Sequence, residues 1–416
     1  MKSFKKHSIE IGIFLSFILP PAGIALLLLC GIQTLNSLWK RGEKIKFSPG
    51  LFLLSCLFLS SIGSAFAMHD FSYFLVSALI LAYIGLYVKI ISQGAQRTFT
   101  ALKWMTVCAG LYFYMLYPFQ EKLLGKSVTS VLTGTALFGP GTPVHYERLI
   151  GAAYNPNFSA AILLLGFSFL LAECLACVRS SKWPLTAFWS AIACLFAHAI
   201  ILTGSKSGFA VMLILLALFA FRLNKMMAIL LVGILALNTQ VILSWMPRSA
   251  DLTASAQVRK EIWRNALTLW QEHSLFGLTP IGFHKEYVLQ FHEAVPHAHN
   301  LVIGMFTEYG ALGGTAFLLV VLINLCKLFM LNFASLQNKK QLDVFLIGLP
   351  VILLTGMFDY VIYSPQVAVV SIILLALWDK YTSKITWLSP RVREHARSIW
   401  WSLGFKTAAK SKNTHS

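Results

Sequence analysis

Long uninterrupted apolar runs dominate this sequence, and they restrict the fold to a helical membrane protein. A helix needs about twenty such residues to cross the ~30 Å hydrocarbon core of a bilayer. Ten runs of roughly this kind lie at 50–68, 71–91, 101–117, 156–178, 184–203, 207–223, 226–246, 298–325, 341–361 and 364–381. They are continuous rather than alternating, which disfavours a transmembrane β-barrel. Charged residues make up only 12% of the 416, against about 25% in soluble domains, which excludes a soluble enzyme.

The first apolar stretch, residues 9–38, has Pro20-Pro21 near its middle. Proline removes a backbone donor and restricts the residue before it, so we expect the helix to break there. If both chain ends are cytoplasmic, this stretch is a helical hairpin and the all-α chain has about twelve transmembrane helices. A single kinked helix, which gives eleven spans, is the alternative.

The distribution of basic residues predicts which helix ends face the cytoplasm. The chain has 34 Lys and Arg against 16 Asp and Glu, a net charge of +18. Short basic loops mark the cytoplasmic side of membrane proteins, so we attribute the excess to topology and expect no nucleic-acid partner. Alternating spans place the basic segments on that side, namely 40–46, 179–182, 222–225, 327–340 and the C-terminal tail.

This topology predicts two regions of the chain. Residues 1–383 form a transmembrane helical domain with two large extracytoplasmic loops, 118–155 and 247–297, the second containing short helices. Residues 384–416 form a basic cytoplasmic tail, in which tryptophans among basic residues favour an amphipathic helix on the membrane surface.

Polar residues gather at the outer ends of the spans. His297-Ala-His299-Asn300 lies where the second loop re-enters the membrane, and a histidine at such a boundary can accept a proton near neutral pH. Residues 203–208 join two spans and place Lys206 beside small residues, which leaves room for a phosphate. The structural alternatives are a polar cap on the next helix and a lysine that reaches to water.

Two further segments add arginines on the same side. Arg259 and Arg264 fall on a predicted amphipathic helix at 257–272, and Arg148 precedes a helix start at Asn155-Pro156-Asn157. Surface charges and a capped helix start are the structural alternatives. Together with a histidine base, such cations could hold a diphosphate while an alcohol is activated against a lipid-linked sugar.

The order and spacing of these residues resemble the O-antigen ligase and O-antigen polymerase superfamily of bacterial membrane glycosyltransferases. The family signature is His followed by Asn, Ser or Gln, then nine residues, then Gly-x-x-Gly, and His299-Asn300 with Gly310-Ala-Leu-Gly313 matches it. The Arg259…Trp263 segment is also similar. The resemblance covers about 145–320, and elsewhere only hydropathy supports it.

The resemblance implies transfer of a glycan from undecaprenyl diphosphate to an acceptor hydroxyl, at the outer face of the bacterial inner (plasma) membrane. It implies that His299 is the catalytic base and that Arg259 and Lys206 act on the diphosphate, although the ligase pattern has arginine at the position of Lys206. It implies no metal or other cofactor. Further residues expected to bind substrate are Arg148, Asn157, Arg264, His297 and Asn300.

Ligase and polymerase remain alternatives at this point. The acceptor is a lipid A–core sugar in the first case and the end of another lipid-linked glycan in the second, and the short chain favours the ligase type. We expect a monomer whose other partners are membrane lipids. A flippase for lipid-linked glycan is the rival of a different class, but it would favour charges near the midplane and an internal repeat.

Three remaining features concern metal sites and membrane carboxylates. A metal site from His284, His292, His297 and His299 lacks a standard ligand spacing. Asp359, near the outer end of its span, is a functional candidate as an intramembrane carboxylate, but the sequence does not reveal its partner. Glu308 lies nine residues after His299, about 13 Å along the helix axis, which is too far for direct contact.

Overall fold

The computed structural model describes residues 2–43, 45–92, 95–120, 127–135, 147–333 and 339–385. All regular structure in these ranges is helical, with sixteen α-helices and four short 3-10 helices, which confirms the predicted all-α class. The amphipathic helix expected in the C-terminal tail falls beyond residue 385 and so outside the described residues.

The helices are numbered in chain order. They are α1 (Lys2–Ile18), α2 (Pro20–Arg41), α3 (Pro49–Ala67), α4 (Phe74–Ser92), α5 (Ala95–Leu116), α6 (Ser127–Thr133), α7 (Pro156–Arg179), α8 (Trp183–Leu202), α9 (Lys206–Leu223), α10 (Lys225–Leu237), α11 (Thr239–Trp245), α12 (Leu252–Glu272), α13 (Thr279–Phe291), α14 (Leu301–Phe333), α15 (Lys339–Gly356) and α16 (Pro365–Thr382).

The first two helices form the predicted hairpin, which turns at Pro20. Two close approaches show that they run antiparallel, because Gly12 lies against Leu27 while Gly23 lies against Ser16. A Cβ atom at Gly23 would come within 2.0 Å of the Ser16 backbone, so only glycine lets the helices touch there. The alternative of one kinked helix is therefore wrong.

The twelve predicted apolar segments are all helical, and the chain is polytopic. Eight described helices are long and apolar enough to cross a membrane, and a ninth span results if α10 and α11, which meet at a 78° bend, count as one. This number is lower than twelve because α1 is apolar only over His7–Ile18, while α15 and α16 carry charged residues in the turns at one end.

Helix α7 lies at the centre of the bundle. Most of its residues are buried, and it contacts α5, α8, α9 and α15. Helix α16 is similarly enclosed and buries Trp378 completely. Helix α10, in contrast, exposes apolar side chains such as Leu230 and Leu237, which is what a helix facing lipid is expected to do.

Ion pairs around buried carboxylates join the helix ends on the predicted cytoplasmic side, and we call them the inner ion pairs. They are Arg179 and Arg222 with Asp343, Lys103 and Lys340 with Glu173, and Lys327 with Asp379. Asp343 thus contacts residues of two of the basic segments, 179–182 and 222–225. The fold brings those segments to one end of the bundle, as the charge distribution predicts.

The second large loop contains two helices that share a small core of their own. Ile262, Ala266 and Leu269 of α12 pack with Phe283 and Tyr287 of α13. The amphipathic helix predicted at 257–272 is therefore the C-terminal part of α12. Its polar residues, Arg259 included, are carried on a helix that packs against α13 rather than on an unstructured loop.

Candidate active site at the outer helix ends

Helix α14, which follows the His-Asn pair, is broken nine residues after its start. Gly310 has non-helical angles (φ 61°, ψ −165°), and the turn between α12 and α13 fills the break. The Ala311 N–H donates to the Ser274 carbonyl at 2.7 Å, and a Cβ at Gly277 would come within 2.5 Å of the Gly310 nitrogen. Gly310, the first glycine of the signature, therefore lets the backbone of α14 touch the backbone of the turn between α12 and α13. This contact fixes α12 and α13 against α14.

His299 is paired with the carboxylate whose partner the sequence does not reveal. Its Nδ1 lies 3.0 Å from Oδ1 of Asp359, which is 2% exposed in the segment between α15 and the 3-10 helix Val361–Tyr363. An ionised carboxylate only accepts hydrogen bonds, so Nδ1 carries the proton and Nε2 keeps its lone pair. No residue in the described part of the chain hydrogen-bonds to Nε2.

Other contacts hold Asp359 in its ionised form. Its Oδ2 accepts a hydrogen bond from the Asn157 amide at 2.6 Å, and its Oδ1 accepts one from the Tyr360 N–H at 2.8 Å. Burial disfavours the charge, but the hydrogen bonds from His299, Asn157 and the Tyr360 N–H stabilise the ionised carboxylate. The carboxylate can therefore stabilise a protonated His299.

A hydrogen-bonded chain continues from Asp359 to an arginine. Asn157 accepts from Nη2 of Arg148 at 3.1 Å, and Nε of Arg148 donates to the Thr203 carbonyl at 2.7 Å. Burial, with the positive charge of Arg248, lowers the pKa of Arg148 to about 10, so the guanidinium remains charged at neutral pH. We call the connected residues His299, Asp359, Asn157 and Arg148 the outer network.

Two further predicted cations lie near this network. Nζ of Lys206, at the start of α9, donates to the Ser255 hydroxyl at 3.0 Å. Arg259 is half-buried on α12, and its guanidinium has no hydrogen bond or ion pair with any described residue. Arg148, Arg248 and Arg259 are all close enough to repel the charge of Lys206. Four cations therefore lie close together. One of them, Arg248, was not selected by the sequence analysis, and it is ion-paired with Asp251 at 3.3 Å.

An apolar cavity of about 440 Å³ opens beside the outer network, between α3, α4, α14, α15 and α16. Leu301, Tyr360 and Tyr363 line its outer end, and the Tyr363 ring lies 4.8 Å from the ring of His297. Nearly all of the lining is aliphatic or aromatic. A long apolar chain in this cavity would have one end close to the polar site.

Comparison with known proteins identifies part of this region. Residues 190–318 match the family model described as O-antigen ligase. The match supports the O-antigen ligase and polymerase superfamily, and with it a ligase- or polymerase-type glycosyltransferase that acts in surface polysaccharide biosynthesis. No match was found among curated proteins.

The segment that matches the O-antigen ligase family holds only part of the site. It includes Lys206, Arg259 and His299, whereas Asn157 and Asp359 lie outside it. Asp359 lies 60 residues after His299 in the chain, and Asn157 lies 202 residues before Asp359. Tertiary packing therefore completes a site that the family signature only begins.

Asn300, the second residue of the family signature, has its side chain occupied by protein contacts. Its Oδ1 accepts from the N–H groups of Val302 and Ile303, and its amide donates to the Met357 carbonyl at 2.9 Å. These are the contacts of a helix cap, which was the structural alternative for this segment. They also tie the start of α14 to the end of α15.

His297 and Arg264 differ in their relation to the site. Burial is the main cause that lowers the pKa of His297 to about 3, so this imidazole is neutral near pH 7, and its Nδ1 accepts from the His299 N–H at 3.3 Å. Arg264 is exposed on α12, turned by about 140° from Arg259 because successive helical residues rotate by 100°. Its predicted part in substrate binding stays a prediction.

The ligand atoms of His297, His299 and Asp359 lie within 4.8 Å of one another, a spacing that could hold a metal ion. His284, which the sequence offered for a metal site, instead bonds to the Val295 carbonyl through Nδ1 at 3.1 Å. His299 and Asp359 satisfy each other by a direct hydrogen bond. The three groups are thus already joined by hydrogen bonds, from His299 to Asp359 through Nδ1 and from the His299 N–H to His297.

Proposed function

We propose that this protein transfers a glycan from undecaprenyl diphosphate to an acceptor hydroxyl, as an O-antigen ligase-type enzyme with its site at the outer face of the bacterial inner membrane. One observation carries the proposal. His299 is paired with Asp359 through Nδ1, has Nε2 free of described partners, and lies near Lys206 and Arg259, which form no ion pair with a described carboxylate.

The cations suit the diphosphate of the donor. Arg259 offers a planar fork of donors to the phosphate oxygens, and Lys206 offers a point charge. Both stabilise the negative charge that develops on the diphosphate as it leaves. Arg148, held by Asn157 and Thr203, adds to the same positive potential, and Arg248 adds less because Asp251 pairs with it.

The apolar cavity suits the lipid part of the donor. It lies within the helix bundle and its outer end reaches the Tyr363 ring, which contacts His297. The isoprene units next to the diphosphate would lie along α14 and α16, and the phosphates would lie above them among the cations. This arrangement favours a lipid-linked donor over a soluble sugar nucleotide.

The proposed reaction is a single displacement. Nε2 of His299 takes the proton of the acceptor hydroxyl as its oxygen attacks the anomeric carbon. The bond between that carbon and the phosphate oxygen breaks, and its electron pair leaves with undecaprenyl diphosphate, so the configuration inverts. Asp359 stabilises the imidazolium and fixes its tautomer. The sugar–phosphate bond supplies the driving force, so no nucleotide is consumed.

The acceptor distinguishes a ligase from a polymerase of the same superfamily. A ligase attaches the glycan to a lipid A–core sugar, whereas a polymerase attaches it to the end of another lipid-linked glycan. Deletion of the gene separates the two. Accumulation of unattached long chains indicates a missing ligase, and accumulation of single repeats on the carrier or on the core indicates a missing polymerase.

Replacement of the base tests the mechanism. We expect His299→Ala to reduce glycan transfer by at least about 10²–10⁴-fold, the usual contribution of a general base, with the amount of folded membrane protein unchanged. His292→Asn is the matched control, since His292 is an exposed histidine with left-handed backbone (φ 57°) that asparagine tolerates. Normal transfer by reconstituted His299→Ala protein would rule the mechanism out.

A further inference from the structure

Glu308 is a buried carboxyl group that the proposed reaction does not use. It lies on α14 two residues before the break at Gly310, and its exposed fraction is 0%. Its Oε2 accepts a hydrogen bond from the Tyr360 hydroxyl at 2.7 Å, while its Oε1 is buried without a partner among the described residues. A carboxyl group in an apolar wall is costly, so its presence requires a compensating role.

Tyr360 connects this carboxyl group to the outer network. Its backbone N–H donates to Oδ1 of Asp359, the same oxygen that faces Nδ1 of His299. Its ring packs on Gly304, where a Cβ atom would come within 3.2 Å of three ring carbons. The residue is 2% exposed, so its two ends are held at once, one at Asp359 and one at Glu308.

We propose that Glu308 is a positioning residue for the His299–Asp359 pair and that it acts through Tyr360. The carboxyl oxygen Oε2 of Glu308 fixes the Tyr360 hydroxyl, the fixed ring orients the backbone N–H, and the N–H holds the Asp359 oxygen that pairs with His299. This inference rests on the proposed function, because it assumes that His299 is the base. A displacement of about 1 Å in such a pair can cost about 10²-fold in rate.

The unpartnered oxygen provides a sharp test of the role. Glu308→Gln keeps one oxygen to accept from Tyr360, and its new amide group replaces Oε1, which forms no hydrogen bond with a described residue. Glu308→Leu removes both oxygens. A positioning role therefore predicts rescue by glutamine, whereas a role as a charge or a proton carrier predicts that glutamine fails like leucine.

The experiment measures initial rates of transfer against donor concentration, with reconstituted protein normalised to the folded fraction. Glu308→Leu and Tyr360→Phe should each lower kcat by about 10–100-fold and leave the KM for the donor within about twofold. The double variant should be no worse than the more severe single variant, because both remove the same hydrogen bond. Glu308→Gln should stay within about threefold of the unchanged protein.

Several results would overturn the proposal. They are additive losses in the double variant, a glutamine variant as inactive as the leucine variant, or a change in KM alone. If Glu308→Leu does not fold, Tyr360→Phe decides, since it keeps the ring and removes only the hydroxyl. His299→Ala in the same assay separates failure of the proposed function from failure of the proposed role of Glu308. Activity in His299→Ala refutes the proposed function, whereas full activity in Tyr360→Phe with an inactive His299→Ala refutes only the role of Glu308.

Discussion

The inner and outer ends of the helix bundle both bury charged side chains, but they pair them differently. At the inner end, Asp343 contacts two arginines and Glu173 contacts two lysines. At the outer end, Arg148 bonds to neutral oxygens and Lys206 to a hydroxyl, while Arg259 bonds to none of the described residues. Ion pairs around buried carboxylates at one end thus contrast, at the other, with Arg148, Lys206 and Arg259, which form no ion pair with any described carboxylate, while only the exposed Arg248 pairs with Asp251.

The difference indicates what each end does. A charged side chain that is already paired with an opposite charge in the protein can hold helices together, but it attracts a charged ligand only weakly. A cation beside neutral partners stabilises no helix contact strongly, but it binds an incoming phosphate well. We therefore expect substitutions at the outer end to reduce activity and substitutions at the inner end to reduce stability.

The largest expected effect is at the carboxylate of the outer network. Asp359→Asn removes the charge that fixes the His299 tautomer, and a loss of about 10³–10⁴-fold in kcat is expected, as in other His–Asp pairs. Single-turnover transfer rates in proteoliposomes measure it. A fall of less than tenfold, with the protein folded, would show that His299 does not depend on this pair.

The second largest loss of activity is expected when Arg259 is replaced. Arg259→Ala should reduce kcat by about 10²–10³-fold, the usual cost of losing one group that stabilises developing charge, and should leave the thermal unfolding midpoint unchanged. Lys260→Ala is the matched control, because Lys260 is the exposed neighbour on α12. Equal losses in the two variants would point to damage to α12 rather than to the loss of a phosphate contact.

At the inner end we expect a loss of stability rather than a loss of activity. Asp343→Ala leaves Arg222, which is largely buried, without its carboxylate, and should lower the free energy of unfolding by about 3 kcal/mol. The rate per folded molecule should stay the same. Thermal unfolding in detergent, read beside transfer assays, checks both. A stable but inactive variant would contradict the division between the two ends.

Lys206 is expected to show the smallest effect. Lys206→Ala should reduce kcat/KM by about tenfold, which corresponds to ~1.4 kcal/mol of binding to the donor diphosphate. Lys206→Arg should restore the loss, because it keeps the charge and supplies the fork found in the ligase pattern. Transfer rates at several salt concentrations measure it. If arginine failed where lysine works, close packing at Ser255 rather than charge would determine this position.

Several features of the fold and site were readable from sequence because their causes are local. Hydropathy identified every apolar helix, Pro20-Pro21 marked the hairpin turn, and the spacing of Ile262, Ala266 and Leu269 identified the buried face of α12. The signature also selected His299 and Gly310. Apolar runs, proline positions and the spacing of residues along a helix involve only residues close together in the chain. A single sequence is therefore enough to read them.

Only the tertiary structure decided how the site is completed. Asp359, the hydrogen-bond partner of His299, lies 60 residues further along the chain. Arg148 is connected to His299 through Asn157 and then Asp359. The same packing places the Asn300 amide on the Met357 carbonyl, gives Glu308 a tyrosine partner and brings Arg248 near the other cations. The sequence by itself determined which side chains lie at the outer membrane surface, because span length and the distribution of basic residues set the topology. Their pairing depends on how distant helices pack, which local sequence does not encode.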